Sequence, residues 1–184
     1  ALPLLKPGVT LRFATLPAMN LGMALSTFVG QNIGANKYDR IRAGFRATIL
    51  INAVFSITVT AVSWIFGESL IGFFTNDPEV IAQGYDYLVI VSSFYLVFAV
   101  MFATHGLLRG AGDALVPMFI TLMSLWGLRI PIAYFLSDSM GPQGIWWGIS
   151  ISWVFGFAAT YIYYKTGRWK TKKVIDRIVQ SEAI

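Results

Sequence analysis

The sequence contains no cysteine and a single histidine, and these absences exclude several kinds of chemistry. A zinc centre built from Cys and His ligands and a Cys–His nucleophilic pair both lack the residues they need. The P-loop, HExxH and GxSxG patterns are also missing. We therefore expect no enzyme, no metal site and no cofactor, and redox state or disulfides carry no information about this chain.

Charge is scarce as well. Charged residues make up 12% of the 184 residues, against 56% hydrophobic residues, whereas a soluble domain carries about 25% charged residues. Such a chain cannot cover a surface that faces water, so the composition predicts an all-α integral membrane protein. The sequence begins at Ala1 without a basic leader or a cleavage site. We expect it to begin within a larger protein.

Five apolar stretches are long enough to cross a bilayer, which takes about 20 helical residues each. They run over residues 10–34, 43–66, 85–108, 115–136 and 143–164. Between them lie turn sequences, in which Asp77 with Pro78 predicts a helix start, and Asp113 is a similar candidate N-cap. Residues 1–166 form the membrane part in this prediction, and residues 167–184 form a basic tail. Two interpretations of the tail remain open: a solubilising extension or an amphipathic helix on the membrane surface.

Basic residues predict the orientation of the five spans. Eleven of them fall on one side, at Lys37, Arg40, Arg42, Arg46, Arg109, Lys165, Arg168, Lys170, Lys172, Lys173 and Arg177. Only Lys6 and Arg12 fall on the other side. By the positive-inside rule the side with eleven is cytoplasmic, and so is the C-terminus. This predicts a multi-pass protein of the cell (inner) membrane, with an odd number of further spans upstream if the parent protein starts in the cytoplasm.

Small residues recur at every fourth position in the first and last spans. The first row is Ala14, Ala18, Gly22, Ser26, Gly30 and Gly34, and the second is Gly144, Gly148, Ser152 and Gly156. Rows of this kind let two helix backbones approach closely in lipid. They predict a tightly packed bundle.

The first span also carries a polar face. Asn20, Thr27 and Gln31 are spaced by seven and four residues, so they project within about 40° of one another on a helix. A polar stripe on the second span consists of Asn52, Ser56 and Ser63. Two interpretations are open: a polar substrate cavity, or hydrogen bonds that join helices. For the serines we favour the second.

The third span carries an apolar stripe made of Tyr95, Phe98, Met101 and Phe102. Aromatic walls can hold lipophilic cations, but the same residues are common in simple helix packing. His105, near the end of this span, is expected to be a hydrogen-bonded residue without a functional role. Arg129 is the one charge well inside a span, and it either extends towards the interface or pairs with a carboxylate outside this chain.

Four stretches, taken in order, resemble the C-terminal half of the multidrug and toxic compound extrusion (MATE) family. They are "LPAMNLGMALSTFVGQNIGANKYDRI", "LLRGAGDALVP", "LWGLRIPIAY" and "GIWWGISIS". The resemblance covers nearly the whole chain. It implies five helices of the six-helix C-terminal lobe of a twelve-helix antiporter.

The resemblance also implies the activity and the partners. The expected function is efflux of lipophilic, often cationic drugs in exchange for Na⁺ or H⁺, in partnership with the lipid bilayer and an N-terminal lobe, and without nucleic acid. Helical phase, and not the resemblance, gives the residues expected to line the cavity: Asn20, Thr27, Gln31, Tyr95, Phe98, Met101 and Phe102. Some members carry an Asp eleven residues before the Arg of "LRG", where this chain has Phe98. The coupling site is therefore expected in the N-terminal half.

Two alternatives remain. A flippase or exporter of lipid-linked precursors or polysaccharides, from the same superfamily, would handle a large anionic headgroup and needs a basic cavity. Arg129 alone is available for that purpose. The other alternative is a membrane packing module without transport activity.

Overall fold

The computed structural model describes residues 6–171, and its side chains over 15–169. The elements in chain order are α1 (Lys6–Gly34), α2 (Tyr38–Gly72), α3 (Pro78–Ser92), α4 (Tyr95–Gly110), α5 (Leu115–Leu122), a π-helical segment (Met123–Leu128), α6 (Arg129–Met140), α7 (Pro142–Thr166) and a short 3₁₀ turn (Arg168–Thr171). The described residues contain no strand. This confirms the all-α prediction. The tail beyond Thr171, with Lys172, Lys173 and Arg177, lies outside the described residues.

Four stretches of the described residues have the length and apolar composition of a membrane span. They are α2, the continuous stretch Leu115–Met140, α7, and the bent pair of α3 and α4 counted as one span. This set does not include α1, a 29-residue helix that carries Asn20, Gln31 and Asn32. At 1.5 Å per residue, α1 is about 43 Å long, which exceeds the thickness of the bilayer core.

The third predicted span is broken in the structure. α3 ends at Ser92, α4 begins at Tyr95, and their axes differ by 46°. Neither Pro nor Gly occupies the break, so the sequence carries no breaker signal there. The start of α3 does follow the prediction: the carboxylate of Asp77 accepts a hydrogen bond from the backbone N–H of Glu79 at 3.0 Å, and Pro78 is the first helical residue.

The predicted cap at Asp113 is wrong. α5 begins after Ala114, without a hydrogen bond from a capping side chain. Asp113 is instead buried, and its carboxylate accepts a hydrogen bond from the hydroxyl of Tyr163, on α7. The carboxylate therefore makes a tertiary contact with α7 and does not cap α5. A contact of this kind cannot be read from helical spacing in the sequence.

The small-residue row of α1 packs against α4, as the row predicted. A Cβ on Gly106 would lie only 2.1 Å from the carbonyl oxygen of Gly22. A Cβ on Gly110 would lie 2.4 Å from the carbonyl oxygen of Ser26. Two glycines of α4, spaced by four, therefore complete the crossing that α1 begins. Such proximity allows dispersion contacts between backbones.

The row on α7 faces α6 and the π-helical segment. A Cβ on Gly144 would meet the backbone of Leu136 at 2.3 Å, and one on Gly148 would lie 3.0 Å from Ala133. Farther along the row, the hydroxyl of Ser124 donates to the carbonyl of Ser152. α6 and α7 therefore form a tight antiparallel pair at Gly144 and Gly148, and the π-helical segment continues the contact at Ser152.

α4 lies at the centre of the bundle, in contact with α1, α2 and α7. One apolar cluster gathers around Leu88, Val91 and Trp153, and a second around Leu25, Val29 and Leu107. We use the term basic end for the end of the bundle where α1, α4 and α7 finish and α2 and α5 begin. Lys37 lies in the loop there between α1 and α2, Arg109 in the last turn of α4 and Arg168 in the 3₁₀ turn.

Candidate functional site

The polar face of α1 is uncovered in this chain. Asn20, Thr27 and Gln31 are all exposed, whereas Leu25 and Val29 on the opposite side of the same helix are buried. The helix therefore packs Leu25 and Val29 against the rest of the bundle and leaves the side chains of Asn20, Thr27 and Gln31 open, together with the exposed Met23 between them. An amide facing hydrocarbon is costly, so this face is suited to water, to a ligand or to another protein segment.

Asn32 comes directly after Gln31 but belongs to a different face. It is buried, and its side-chain amide donates to the carbonyl of Phe28 at 2.8 Å, four residues earlier in α1. One of its two amide N–H groups is therefore satisfied within the helix. Of the two adjacent amides, Gln31 is the one that faces outward.

The aromatic stripe of α4 is largely enclosed. Tyr95, Phe98 and Met101 are buried and Phe102 is half-buried. The ring of Phe98 lies 4.5 Å from that of Phe102 and 4.8 Å from that of Trp153. These distances are typical of packed aromatic pairs.

The structure therefore brings the stripe together as one cluster. It places the cluster in the interior of the chain and the polar residues of α1 on its surface. Trp153 is the member that the sequence did not single out. It comes after Ser152 in the small-residue row of α7 and projects to the neighbouring face, where helical phase alone does not name its partner.

Arg129 stands directly after the π-helical segment. A π-turn adds a residue to the helix and shifts the helical phase of the residues on its C-terminal side. The guanidinium Nε is buried and has no hydrogen-bond partner in the described part of the chain.

An open groove of about 520 Å³ lies beside this arginine. It is lined by Arg129, Ile130, Ala133, Tyr134, Ser137, Ile145 and Ile149. Isoleucine and alanine dominate the walls, so the groove presents one charge in an apolar setting. It belongs to α6 and α7 and lies on a different part of the bundle from the polar face of α1.

Two further polar groups lie deep in the bundle. His105 Nε2 is 2.8 Å from the hydroxyl of Thr160, which joins α4 to α7. This confirms the expectation that His105 is hydrogen-bonded.

Asn52 on α2 is buried, and neither atom of its amide has a partner among the described residues. The hydroxyl of Thr60 donates to the carbonyl of Ser92 at 2.8 Å and so links α2 to the end of α3.

The next feature is the distribution of side chains that could bind a metal ion. Within the part of the chain that the structure describes, no three His, Cys, Asp or Glu side chains gather into a group that could hold an ion. The acidic residue Asp86, on α3, accepts a hydrogen bond from the amide of Gln143 at 2.9 Å. That contact fixes the start of α7 against α3.

The described residues form an all-helical bundle with helices of membrane-spanning length, and one polar helix face of this bundle is uncovered. The comparisons with known proteins name the family: the MatE model matches residues 9–135. The match covers more than half of the chain. The chain belongs to the MatE family.

Relatives of known name agree. The chain is 35% identical over 160 residues to "Probable multidrug resistance protein YpnP" of Bacillus subtilis, which covers 87% of this chain and 36% of that protein. It is 29% identical over 164 residues to "Probable multidrug resistance protein NorM" of Thermotoga maritima, with 88% and 35% covered. The chain thus spans about a third of the length of the curated relatives it matches.

Two solved structures share the fold. One is described as the inward-facing conformation of a multidrug resistance MATE family transporter of the MOP superfamily, with a TM-score of 0.75 at 18% identity. The other is the eukaryotic MATE transporter AtDTX14, with a TM-score of 0.77 at 24% identity. Each likeness covers 88% of this chain, and 36% and 37% of the respective structures.

Proposed function

We propose that this chain supplies the C-terminal lobe of a multidrug efflux transporter, which exports lipophilic, often cationic small molecules in exchange for Na⁺ or H⁺. Membership of the MatE family supports a transport role, and its relatives from Bacillus subtilis and Thermotoga maritima are called probable multidrug resistance proteins. Because the chain matches about a third of their length, the remaining part of the transporter contributes the N-terminal lobe and the other half of the cavity.

The uncovered polar face of α1 carries this proposal. Asn20, Thr27 and Gln31 are exposed on a helix that packs its other side tightly. An N-terminal lobe across from this face would enclose a cavity with polar and apolar walls, in which a drug meets hydrogen-bonding groups without full exposure to lipid.

The aromatic cluster of α4 would form the apolar part of the same cavity. Phe102 is half-buried and stands at the edge of the cluster, so it is the member closest to being accessible. Tyr95, Phe98 and Met101 lie deeper. In this proposal a movement between the lobes exposes the cluster to the drug, since transporters of this kind open alternately to the two sides of the membrane.

Ion coupling is assigned to the N-terminal lobe. The position at which some family members carry an Asp is Phe98, whose ring packs on Phe102 and Trp153. An intramembrane carboxylate is the usual group for coupling to Na⁺ or H⁺. We place that carboxylate outside this chain, and we place the basic end on the cytoplasmic side of the inner membrane.

The test uses the full-length transporter in proteoliposomes, with ethidium as the lipophilic cation and an imposed Na⁺ or H⁺ gradient. We expect gradient-driven ethidium flux. Gln31→Ala and Thr27→Val should each lower the flux about two- to tenfold, which corresponds to the loss of one hydrogen bond of about 0.5–1.5 kcal/mol.

Thr58→Val is the matched control, because it makes the same change on an exposed residue of α2, where the hydroxyl bonds within its own helix at 2.8 Å. Flux that falls equally in Thr27→Val and Thr58→Val would remove the case for a cavity at α1. Flux that depends on neither gradient would contradict antiport itself.

A further inference from the structure

A pocket at the basic end of the bundle has a charged rim and an aromatic floor. It encloses about 270 Å³ between the first turns of α2, the end of α4 and the turn after α7. We propose that this pocket binds the headgroup of an anionic phospholipid. The inference rests on the proposed orientation, in which the basic end lies at the cytoplasmic leaflet, but it does not depend on which drug or ion is transported.

The rim consists of two arginines. Arg42 and Arg46 are exposed, lie four residues apart on α2 and both line the pocket. Side chains at this spacing share one face of a helix, so both guanidinium groups can meet the same ligand. Among the described residues, neither arginine takes part in a salt bridge. Within that part of the chain, their donors are open to an external anion.

The floor consists of three aromatic rings in consecutive contact, those of Phe45, Tyr164 and Trp169. The ring of Phe45 lies 5.7 Å from that of Tyr164, and the ring of Tyr164 lies 5.6 Å from that of Trp169 with their planes only 12° apart. The indole N–H of Trp169 donates to the carbonyl of Tyr164 at 3.1 Å, which holds the turn against α7. Ile41 and Leu107, both buried, complete the apolar base.

This combination matches a phospholipid better than a free phosphate ion. A guanidinium binds phosphate oxygens through two parallel N–H donors. The aromatic floor offers contact to a glycerol group and the first methylenes of the acyl chains, which a soluble anion does not have. Trp and Tyr also favour the headgroup level of a bilayer, and basic pockets between transmembrane helices are suited to anionic headgroups.

The experiment measures lipid binding to the full-length protein in detergent micelles. Phosphatidylglycerol and phosphatidylcholine are titrated separately, and the number and affinity of bound lipids are read by native mass spectrometry. We expect tighter binding of phosphatidylglycerol. In a double variant with Arg42→Gln and Arg46→Gln, the phosphatidylglycerol affinity should fall by about 25-fold, at about fivefold for each basic residue.

Arg40→Gln is the matched control, because Arg40 is exposed on the same helix but does not line the pocket. It should leave the affinity within about twofold of the unsubstituted protein. A double variant with Arg42→Lys and Arg46→Lys retains the charge without the paired donors. Its affinity for phosphatidylglycerol should lie between that of the unsubstituted protein and that of the double glutamine variant. If the double glutamine variant does not fold, the two single variants report the same effect, each at about fivefold.

Three results would overturn the proposal. The first is equal affinity for phosphatidylglycerol and phosphatidylcholine. The second is an equal loss of affinity in Arg40→Gln and in the double variant. The third is inorganic phosphate displacing phosphatidylglycerol at concentrations similar to those of the lipid, which would indicate a soluble anion instead. Drug flux is measured separately, so a failure of the lipid site and a failure of the transport proposal remain distinguishable.

Discussion

Individual glycine residues determine how closely the helices of this bundle approach one another. Gly106 on α4 faces the backbone of Gly22 on α1, and a Cβ there would lie 2.1 Å from a carbonyl oxygen. Gly30, in the same row of α1, has more room: its Cβ would lie 3.5 Å from the carbonyl of Gly110. The same substitution should therefore have opposite effects at the two positions.

We predict that Gly106→Ala destabilises the protein by about 1–3 kcal/mol, because the added methyl group must push two backbones apart. Gly30→Ala should be neutral or stabilising by up to about 1 kcal/mol, since alanine favours the helix and the contact is ordinary. Unfolding of both variants in detergent, monitored by circular dichroism against denaturant, measures the difference. Equal destabilisation at both positions would contradict a crossing of α1 and α4 that is closest at Gly106.

Hydrogen bonds between elements hold the bundle at a few points along its length. His105 on α4 and Thr160 on α7 form one such contact at 2.8 Å, and both residues are buried. The hydroxyl of Thr160 also donates to the carbonyl of Gly156 in its own helix. The hydroxyl of Thr160 is therefore the hydrogen-bond partner of the buried Nε2 of His105.

Thr160→Val should lower stability by about 0.5–2 kcal/mol, because it leaves a buried imidazole nitrogen without its partner. Thr121→Val is the control, since the hydroxyl of Thr121 bonds within its own helix to Pro117 at 2.8 Å. Combining Thr160→Val with His105→Leu should cost less than the sum of the two single changes, as measured by unfolding. Additive losses would mean that the two side chains do not interact.

Charge is distributed unevenly over the whole molecule. The basic end presents the exposed residues Lys37, Arg40, Arg42, Arg46, Arg109, Lys165 and Arg168. The opposite end presents Glu68, Asp77, Glu79 and Asp138, which are exposed as well. In the proposed orientation, this asymmetry places the basic end on the cytoplasmic side, in keeping with the positive-inside rule.

Because the chain has no cysteine, one introduced thiol can report on each side of the membrane. In a full-length background without other cysteines, Asn76→Cys should react with a membrane-impermeant maleimide added to intact cells. Lys37→Cys should react only after the membrane is opened. Both positions are exposed in loops at opposite ends of the bundle. The reverse labelling pattern would overturn the proposed orientation.

Some tertiary features could be predicted from periodicity and others could not. The small-residue rows predicted close helix crossings, and those crossings are present at Gly22 and Gly148. The break after Ser92 has no Pro or Gly to mark it, and the sequence analysis did not single out the π-helical segment Met123–Leu128. The partner of Asp113 is Tyr163, 50 residues away, and no spacing rule links them.

The sequence by itself determined the class of protein, the family resemblance and the residues that share each helix face. Composition excludes a soluble domain, and a period of 3.6 residues assigns side chains to faces whatever surrounds the helix. Only the tertiary structure decided which faces are covered. It leaves Asn20, Thr27 and Gln31 open and encloses Phe98, because burial depends on which helices meet, and that is a property of the assembled bundle.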